Sequence, residues 1–178
     1  MELQPELHVL IVDATWAQPL VTKRDKSSKT DFILHFDDVY VNTTASLRVD
    51  DELLQKSNTR HSVARLTSNL FFNMEEVPAN MHIKSIKVMF TEGWLKKYLG
   101  LDKSESVIQQ YLSLKTESFD IEKLDEGYFK LMNELCHVSD DAPLRQIYVM
   151  NRVNLLIERF FRRLYGKMRL LKGEFNLS

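Results

Sequence analysis

The first 90 residues consist of short strand-like segments that follow one another without a helix-forming stretch between them. β-Branched and apolar residues dominate these segments, and Asn, Asp or Pro stand at the breaks. Closely spaced strands without intervening helices favour an antiparallel sandwich or barrel over a parallel sheet. The predicted strands span residues 7–12, 18–22, 31–36, 39–41, 45–49, 62–66, 69–74 and 81–90.

Two of these segments carry local irregularities. The pair Asp37-Asp38 separates two apolar runs and predicts a turn or bulge there. In the segment 83–90 the apolar residues do not follow one strict alternation, which indicates either a bulge or burial on both faces.

The second half of the chain has helical periodicity. Predicted helices span residues 92–99, 104–114, 124–135 and about 143–171, and residues 116–121 are predicted to be extended. Thr91 can cap the first helix, and Pro143 suits the first turn of the last one.

The last predicted helix carries a wide apolar stripe, which is too long for the rest of one small domain to cover. We therefore expect a homodimer through this helix. The residues predicted to form the dimer interface are Val149, Val153, Leu156, Phe160 and Leu164.

The net charge of −1 hides an uneven distribution. Residues 143–178 hold eight basic and two acidic residues, whereas residues 1–142 carry a net charge of −7. Because the basic residues lie among apolar ones, we interpret them as a solvated rim around a dimer helix rather than as a nucleic-acid surface.

Composition excludes several classes of protein. No apolar run approaches the roughly 18–20 residues of a membrane span, and the first residues do not form a secretory signal. Cys136 is the one cysteine, so we expect a reducing compartment and a cytoplasmic protein. The first 92 residues lack glycine, which argues against a Gly-rich phosphate loop there.

Two segments resemble a known family. KSIKVMFTEGWLKKYLG at residues 84–100 resembles the strand-to-helix junction of AraC-type transcriptional regulators of the group common in Bacteroidetes. NRVNLLIERFF at residues 151–161 is similar to the long helix that precedes the DNA-binding domain in that group. The resemblance covers roughly residues 31–168.

This resemblance implies a cupin-like barrel that senses a small molecule, helices that dimerise, and a C-terminal domain with two helix-turn-helix motifs. The sequence stops at Ser178, so DNA binding is expected from a domain that it lacks. The implied fold is α+β, with a cupin-like antiparallel barrel or sandwich at residues 1–90. A helical dimerisation region at residues 91–178, including one long helix, packs on it as one structural unit.

A ligand pocket would combine aromatic side chains with a few polar groups. Arg65 is of particular interest because a guanidinium can bind a carboxylate with two parallel hydrogen bonds. The candidate ligand-binding residues on the strand segments are Trp16, His35, Tyr40, Arg65, Phe72 and His82.

Catalysis and metal binding find little support in the sequence. The five histidines are far apart, and only His35-Phe36-Asp37 places a histidine and a carboxylate on one strand face. Cys136 lies on the apolar face of a predicted helix, which indicates an inert thiol. We predict no enzyme activity, cofactor or resident metal. A cupin-type metalloenzyme and a non-catalytic interaction module are the alternative functions.

Overall fold

A computed structural model describes residues 1–24, 31–40, 46–49, 52–56, 61–68, 73–99 and 122–171. The predicted helix at 104–114 and the predicted extended segment at 116–121 lie outside these ranges. The strands are β1 (Glu2–Gln4), β2 (Leu7–Thr15), β3 (Leu20–Arg24), β4 (Asp31–Tyr40), β5 (Ser46–Val49), β6 (Glu52–Lys56), β7 (His61–Ser68), β8 (Asn73–Val77), β9 (His82–Thr91) and β10 (Glu122–Lys123). The helices are α1 (Glu92–Leu99), α2 (Glu126–Cys136) and α3 (Arg145–Leu171).

The described strands form two antiparallel sheets in an α+β fold. The larger sheet has the order β1-β2-β9-β4-β7-β10, and the smaller has the order β3-β8-β5-β6. The larger sheet is open, because β1 and β10 are its edges among the strands that the structure describes. A closed cupin-like barrel, which the resemblance implied, is therefore not what these strands form.

The centre of the larger sheet is regular where the sequence predicted interruptions. β9 pairs without a break to both β2 and β4, so burial on both faces, rather than a bulge, explains its apolar pattern. The predicted turn at Asp37-Asp38 is wrong, because both residues lie inside the continuous strand β4. Asp37 accepts a hydrogen bond from the Ser85 hydroxyl and Asp38 from the Ser62 hydroxyl, each at 2.6 Å, which compensates the burial of their carboxylates.

One face of the larger sheet packs against the helices and forms the main core. Phe36 of β4 contacts Tyr128 of α2, with ring centroids 5.5 Å apart. Phe90, near the end of β9, packs against Trp94 of α1 with tilted rings whose centroids are 5.6 Å apart. These aromatic contacts bury the apolar stripes of the short helices against the sheet.

The helix boundaries follow local capping. α1 spans the predicted residues, and the Thr91 hydroxyl accepts a hydrogen bond from the Trp94 amide. α2 begins one residue after Asp125, whose carboxylate caps it. α3 begins at Arg145 rather than at Pro143, because Leu144 has a φ of 59°, a left-handed conformation that a right-handed helix does not admit.

The long helix α3 contains 27 residues, and its apolar row packs onto the rest of the same chain. The structure therefore corrects the expectation that this row meets a second copy, because a side chain buried in its own core is not available to a partner. Among the described residues, no helix is both long and apolar enough to cross a membrane. The buried row consists of Val149, Val153, Leu156, Phe160 and Leu164, each at most 3% exposed.

Candidate functional site

Strand alternation separates the polar residues of β4 from its core residues. Leu34 and Phe36 point to the helices, so His35 and Asp37 point to the opposite face of the larger sheet. The pairing register places His35 between Lys87 of β9 and Arg65 of β7. Three nitrogen-bearing side chains therefore lie side by side across three adjacent strands.

Five polar side chains on this face form a buried cluster, which we call the interior network. Each is between 2% and 7% exposed, although polar side chains of this kind are buried only when they have partners. The smaller sheet lies over this side, since Val77 of β8 packs with Val39 and Ile83 of the larger sheet. The interior network consists of His35, Asp37, Arg65, Thr67 and Ser85.

The hydrogen bonds assign a protonation form to His35. The Thr67 hydroxyl donates to the Ile33 carbonyl at 3.4 Å, so it accepts from His35 Nε2 at 2.9 Å. His35 Nδ1 then accepts from Arg65 Nη2 at 3.4 Å. This arrangement corresponds to a neutral imidazole with its proton on Nε2.

Asp37 provides the negative charge of the interior network. Its Oδ1 accepts the Ser85 hydroxyl, and its Oδ2 lies 3.6 Å from Arg65 Nη2 and 4.0 Å from His35 Nδ1. The carboxylate is thus held firmly by one oxygen, whereas its contact with the guanidinium is longer than the 2.7–2.9 Å typical of a charge-assisted hydrogen bond.

The structure separates the predicted ligand-binding residues. His35 and Arg65 are adjacent in the interior network. Trp16 packs beside it, on the apolar cluster of Val39, Val77, Met81 and Ile83. The Tyr40 side chain and Phe72 lie outside the described residues.

His82 is not part of the interior network, because it is the first residue of β9 and lies on the helix-facing side of that strand. Its Nε2 is 3.0 Å from Asp13 Oδ1, and its Nδ1 is 3.2 Å from Thr15 Oγ1. The imidazole is 44% exposed. The Thr15 hydroxyl, the His82 imidazole and the Asp13 carboxylate lie in a row, as the members of a catalytic triad do. Cross-strand pairing of exposed polar residues explains this arrangement.

Sequence reasoning missed three members of the interior network: Asp37, Thr67 and Ser85. A signal for Asp37 was present, since His35 and Asp37 share a strand face by their spacing of two. Thr67 and Ser85 carried no such signal, because their proximity depends on the register of β7 and β9 against β4.

A second charged group, which we call the edge cluster, joins α3 to the sheet and to α2. It consists of Glu122, Asp125, Arg159 and Arg163. Arg159 Nη2 donates to Asp125 Oδ2 at 2.6 Å, and Arg163 binds both Glu122 and Asp125. Both guanidinium groups lie over the Tyr128 ring, at 5.1 and 5.3 Å.

The edge cluster shifts the pKa values of its members. Burial tends to raise the pKa of Asp125, but the hydrogen bonds from Arg159 and the Tyr128 amide and the charges of Arg159 and Arg163 lower it to about 2. Burial and the nearby Glu122 carboxylate raise the pKa of Tyr128. These basic residues of the long helix are therefore partners of the acidic body rather than a wholly solvated rim.

Cys136 and the potential metal ligands are two further chemical features of the described residues. Burial, followed by the charge of Asp13, raises the pKa of the Cys136 thiol to about 11, so the reactive thiolate is scarce at neutral pH. Among the part of the chain that the structure describes, no group of three or more His, Cys, Asp and Glu side chains could hold a metal ion.

Comparison with known proteins identifies no relative. No protein-family model matches the chain, and neither a curated protein nor a solved structure matches it.

Proposed function

We propose that this chain is the effector-sensing and dimerisation domain of an AraC-type transcriptional regulator, a cytoplasmic protein whose DNA-binding domain lies outside the sequence. The effector binds at the interior network, on the face of the larger sheet that lies away from the helices. The single observation that carries the proposal is the burial of an Arg, an Asp and a His within one hydrogen-bonded group between two sheets. Stability alone does not favour such burial, because apolar residues in its place would avoid the desolvation cost.

Two short connections link the interior network to the long helix. On β7, Arg65 directly follows Ala64, and Ala64 pairs with Glu122 of β10. The residue after Arg65 lies in the core. Glu122 in turn binds Arg163 of α3 and accepts a hydrogen bond from the Tyr128 hydroxyl. A shift of β7 on effector binding would therefore move an anchor of α3.

The second connection runs through β4. Phe36 lies between His35 and Asp37 in the chain and contacts the Tyr128 ring. That ring lies under Arg159 and Arg163. Effector binding would change the balance between two positions of the C-terminal half of α3, a population shift that reaches the DNA-binding domain.

Hydrogen–deuterium exchange tests this connection without an effector. The variant Arg65→Lys keeps the charge but lacks the guanidinium geometry. We expect it to increase exchange about threefold or more in peptides covering residues 122–128 and 157–167, with residues 92–99 unchanged. His82→Asn is the matched control, because His82 lies on the other face, and it should leave both regions unchanged.

Two outcomes of this exchange experiment would contradict the proposal. Unchanged exchange at residues 157–167 in Arg65→Lys would show that the interior network is not coupled to α3. An equal increase at every amide of the chain would show a global loss of stability instead of a specific connection.

Dimerisation is proposed through the outward side of α3, because the row first predicted for it is buried. Ile147 is 52% exposed and Leu155 is 46% exposed on this side. Light scattering at micromolar concentration should give the mass of a dimer for the wild type and of a monomer for the double variant Ile147→Asp, Leu155→Asp. A monomeric wild type would refute this part of the proposal.

The assignment to the family has its own test. We expect the reading frame that follows the codon for Ser178 to encode two helix-turn-helix motifs. A frame that encodes another kind of domain, or a stop codon, would contradict the AraC assignment and favour a stand-alone interaction module.

A further inference from the structure

We propose that two copies of the chain pair through the outward side of α3 as antiparallel helices, with Asn151 on the two-fold axis between them. This inference rests on the proposed function, since it gives the geometry of the proposed dimer. Three features carry it: the exposed apolar residues on one stripe of the helix, the backbone conformation of Leu144, and the distribution of charge along the stripe.

The outward side of α3 carries a stripe of exposed residues, which we call the outer stripe. Leu144, directly before the helix, is 73% exposed, Ile147 is 52% exposed and Leu155 is 46% exposed. Single apolar residues scattered over a surface are normal, whereas several on one stripe indicate a contact surface. The members are three or four residues apart, the spacing of a helix–helix contact. The outer stripe consists of Leu144, Ile147, Asn151, Leu155, Glu158 and Arg162.

Leu144 is unfavourable in the isolated chain in two ways. Its φ of 59° lies in the left-handed region, which a leucine disfavours. Its apolar side chain is also largely in water. Glycine or asparagine would hold the same backbone conformation with less strain and without apolar exposure. A second copy on the outer stripe would cover this side chain and offset both costs.

An antiparallel pair centred on Asn151 makes the outer stripe complementary to itself. Ile147 and Leu155 lie four residues on either side of the centre, so each Ile147 lies level with Leu155 of the partner subunit. These two apolar contacts enclose the pair of Asn151 side chains, whose amides can donate to and accept from each other. An enclosed Asn pair fixes the register of two helices.

Charge favours the antiparallel over the parallel pair. Parallel helices in register would place Glu158 and Arg162 opposite their own copies, and like charges repel. In the antiparallel pair Arg162 lies about 17 Å from the centre, because eleven residues at about 1.5 Å each separate it from Asn151. At that level the partner subunit has the turn before α3, which contains Asp140 and Asp141. The Asp140 side chain is 90% exposed, so opposite charges meet there.

The antiparallel geometry also determines where the two chains continue. α3 ends at Leu171, twenty residues beyond Asn151. The two helix ends therefore lie about 60 Å apart, on opposite sides of the axis. Domains that follow the two helices would start far from each other rather than side by side.

Disulfide trapping distinguishes the two arrangements. In a Cys136→Ser background, the variants Ile147→Cys and Leu155→Cys are mixed, oxidised with glutathione disulfide and digested for mass spectrometry. We expect the link between positions 147 and 155 to be at least about tenfold more abundant than the link of either position to itself. Two copies of position 147 are about 12 Å apart along the axis, whereas a disulfide spans roughly 7 Å between Cα atoms.

Two further variants complete the experiment. Leu10→Cys is the matched control, because Leu10 is 48% exposed but lies on β2, on the sheet face away from the helices. Mixed with Leu155→Cys, it should give no link. Leu144→Asn keeps a residue that tolerates the left-handed conformation and removes the apolar side chain. We expect it to stay folded and to weaken dimerisation at least about tenfold in sedimentation equilibrium.

Three outcomes would overturn the inference. Links of each position to itself that dominate in a dimeric chain would show a parallel pair. Links from Leu10→Cys as abundant as those from Ile147→Cys would show random collision, and undiminished dimerisation of Leu144→Asn would place the contact elsewhere. All three leave the proposed dimer in place, whereas a monomeric wild type in light scattering would refute the dimer itself, so a wrong geometry is distinguishable from a wrong function.

Discussion

Replacing Asp125 tests the edge cluster most sharply, because this residue has two separable roles. Its Oδ1 accepts hydrogen bonds from the amides of Gly127 and Tyr128, at 3.0 and 3.2 Å, and so caps α2. Its charge pairs with Arg159 and Arg163. Asp125→Asn keeps a good capping side chain and loses the charge, whereas Asp125→Ala loses both.

The structure gives the magnitude of each role. Loss of a cap costs about 1 kcal/mol. A fall of the pKa of Asp125 from 3.8 to about 2 corresponds to about 2.4 kcal/mol at full strength. Because the side chain is 36% exposed, solvent screening reduces this charge contribution to about 1 kcal/mol. We therefore expect Asp125→Asn to cost about 1 kcal/mol and Asp125→Ala about 2 kcal/mol.

Chemical denaturation at pH 7 and over an acid series measures both values. The folded-state pKa is below the unfolded-state one, so the carboxylate contribution is present above the unfolded-state pKa of 3.8 and is lost as the pH falls through the folded-state pKa of about 2. The difference in stability between the wild type and Asp125→Asn should therefore shrink as the pH falls and vanish below the folded-state pKa of about 2. Equal costs for the two variants at pH 7, or a difference between the wild type and Asp125→Asn that is as large at pH 2 as at pH 7, would show that the two roles are not separable in this way.

Three further predictions concern packing and reactivity. Gly127→Ala places a Cβ 2.6 Å from the guanidinium carbon of Arg159 and should lower the free energy of unfolding by about 1 kcal/mol, measured by thermal unfolding. Gly166→Ala, with nothing within 4 Å of its Cβ, should stabilise α3 by up to about 1 kcal/mol. A more stable Gly127→Ala than Gly166→Ala would contradict this packing. Phe160→Ala should lower the free energy of unfolding by about 3–5 kcal/mol, because the ring is buried in its own chain. Leu155→Ala, at an exposed position, should change it by no more than about 0.5 kcal/mol. A Phe160→Ala monomer as stable as the wild type would mean that this ring belongs to an interface. Cys136 should react with a disulfide reagent more slowly in the folded chain than in urea, since its pKa is about 11; equal rates would show an accessible thiolate.

Much of the fold was predictable from local pattern. The bounds of α1, the existence of α2 and α3, and most strands follow from periodicity and capping. The turn predicted at Asp37-Asp38 failed because two serine hydroxyls on other strands satisfy these carboxylates, and no local pattern contains that information. The strands β1 and β10 were missed because three and two residues are too few to show a period, and β6 was missed because Glu52–Lys56 contains no β-branched residue.

The candidate site was predictable only in part. His35 and Arg65 were identified by residue type, but their adjacency depends on the register between β4 and β7. His82 was assigned to the pocket, yet its strand parity puts it on the other face. The sequence pattern places the apolar row of α3 against a partner, whereas in the structure this row belongs to one core cluster with side chains of the sheet and of the other two helices.

The proposed function requires a small molecule to bind between the two sheets at the interior network. Native mass spectrometry of the chain after incubation with the small-molecule fraction of a bacterial extract tests it directly. We expect a bound mass of a few hundred daltons or less that is retained in His82→Asn and lost in Arg65→Lys. A ligand retained equally in both variants, or no bound mass on the wild type, would contradict it.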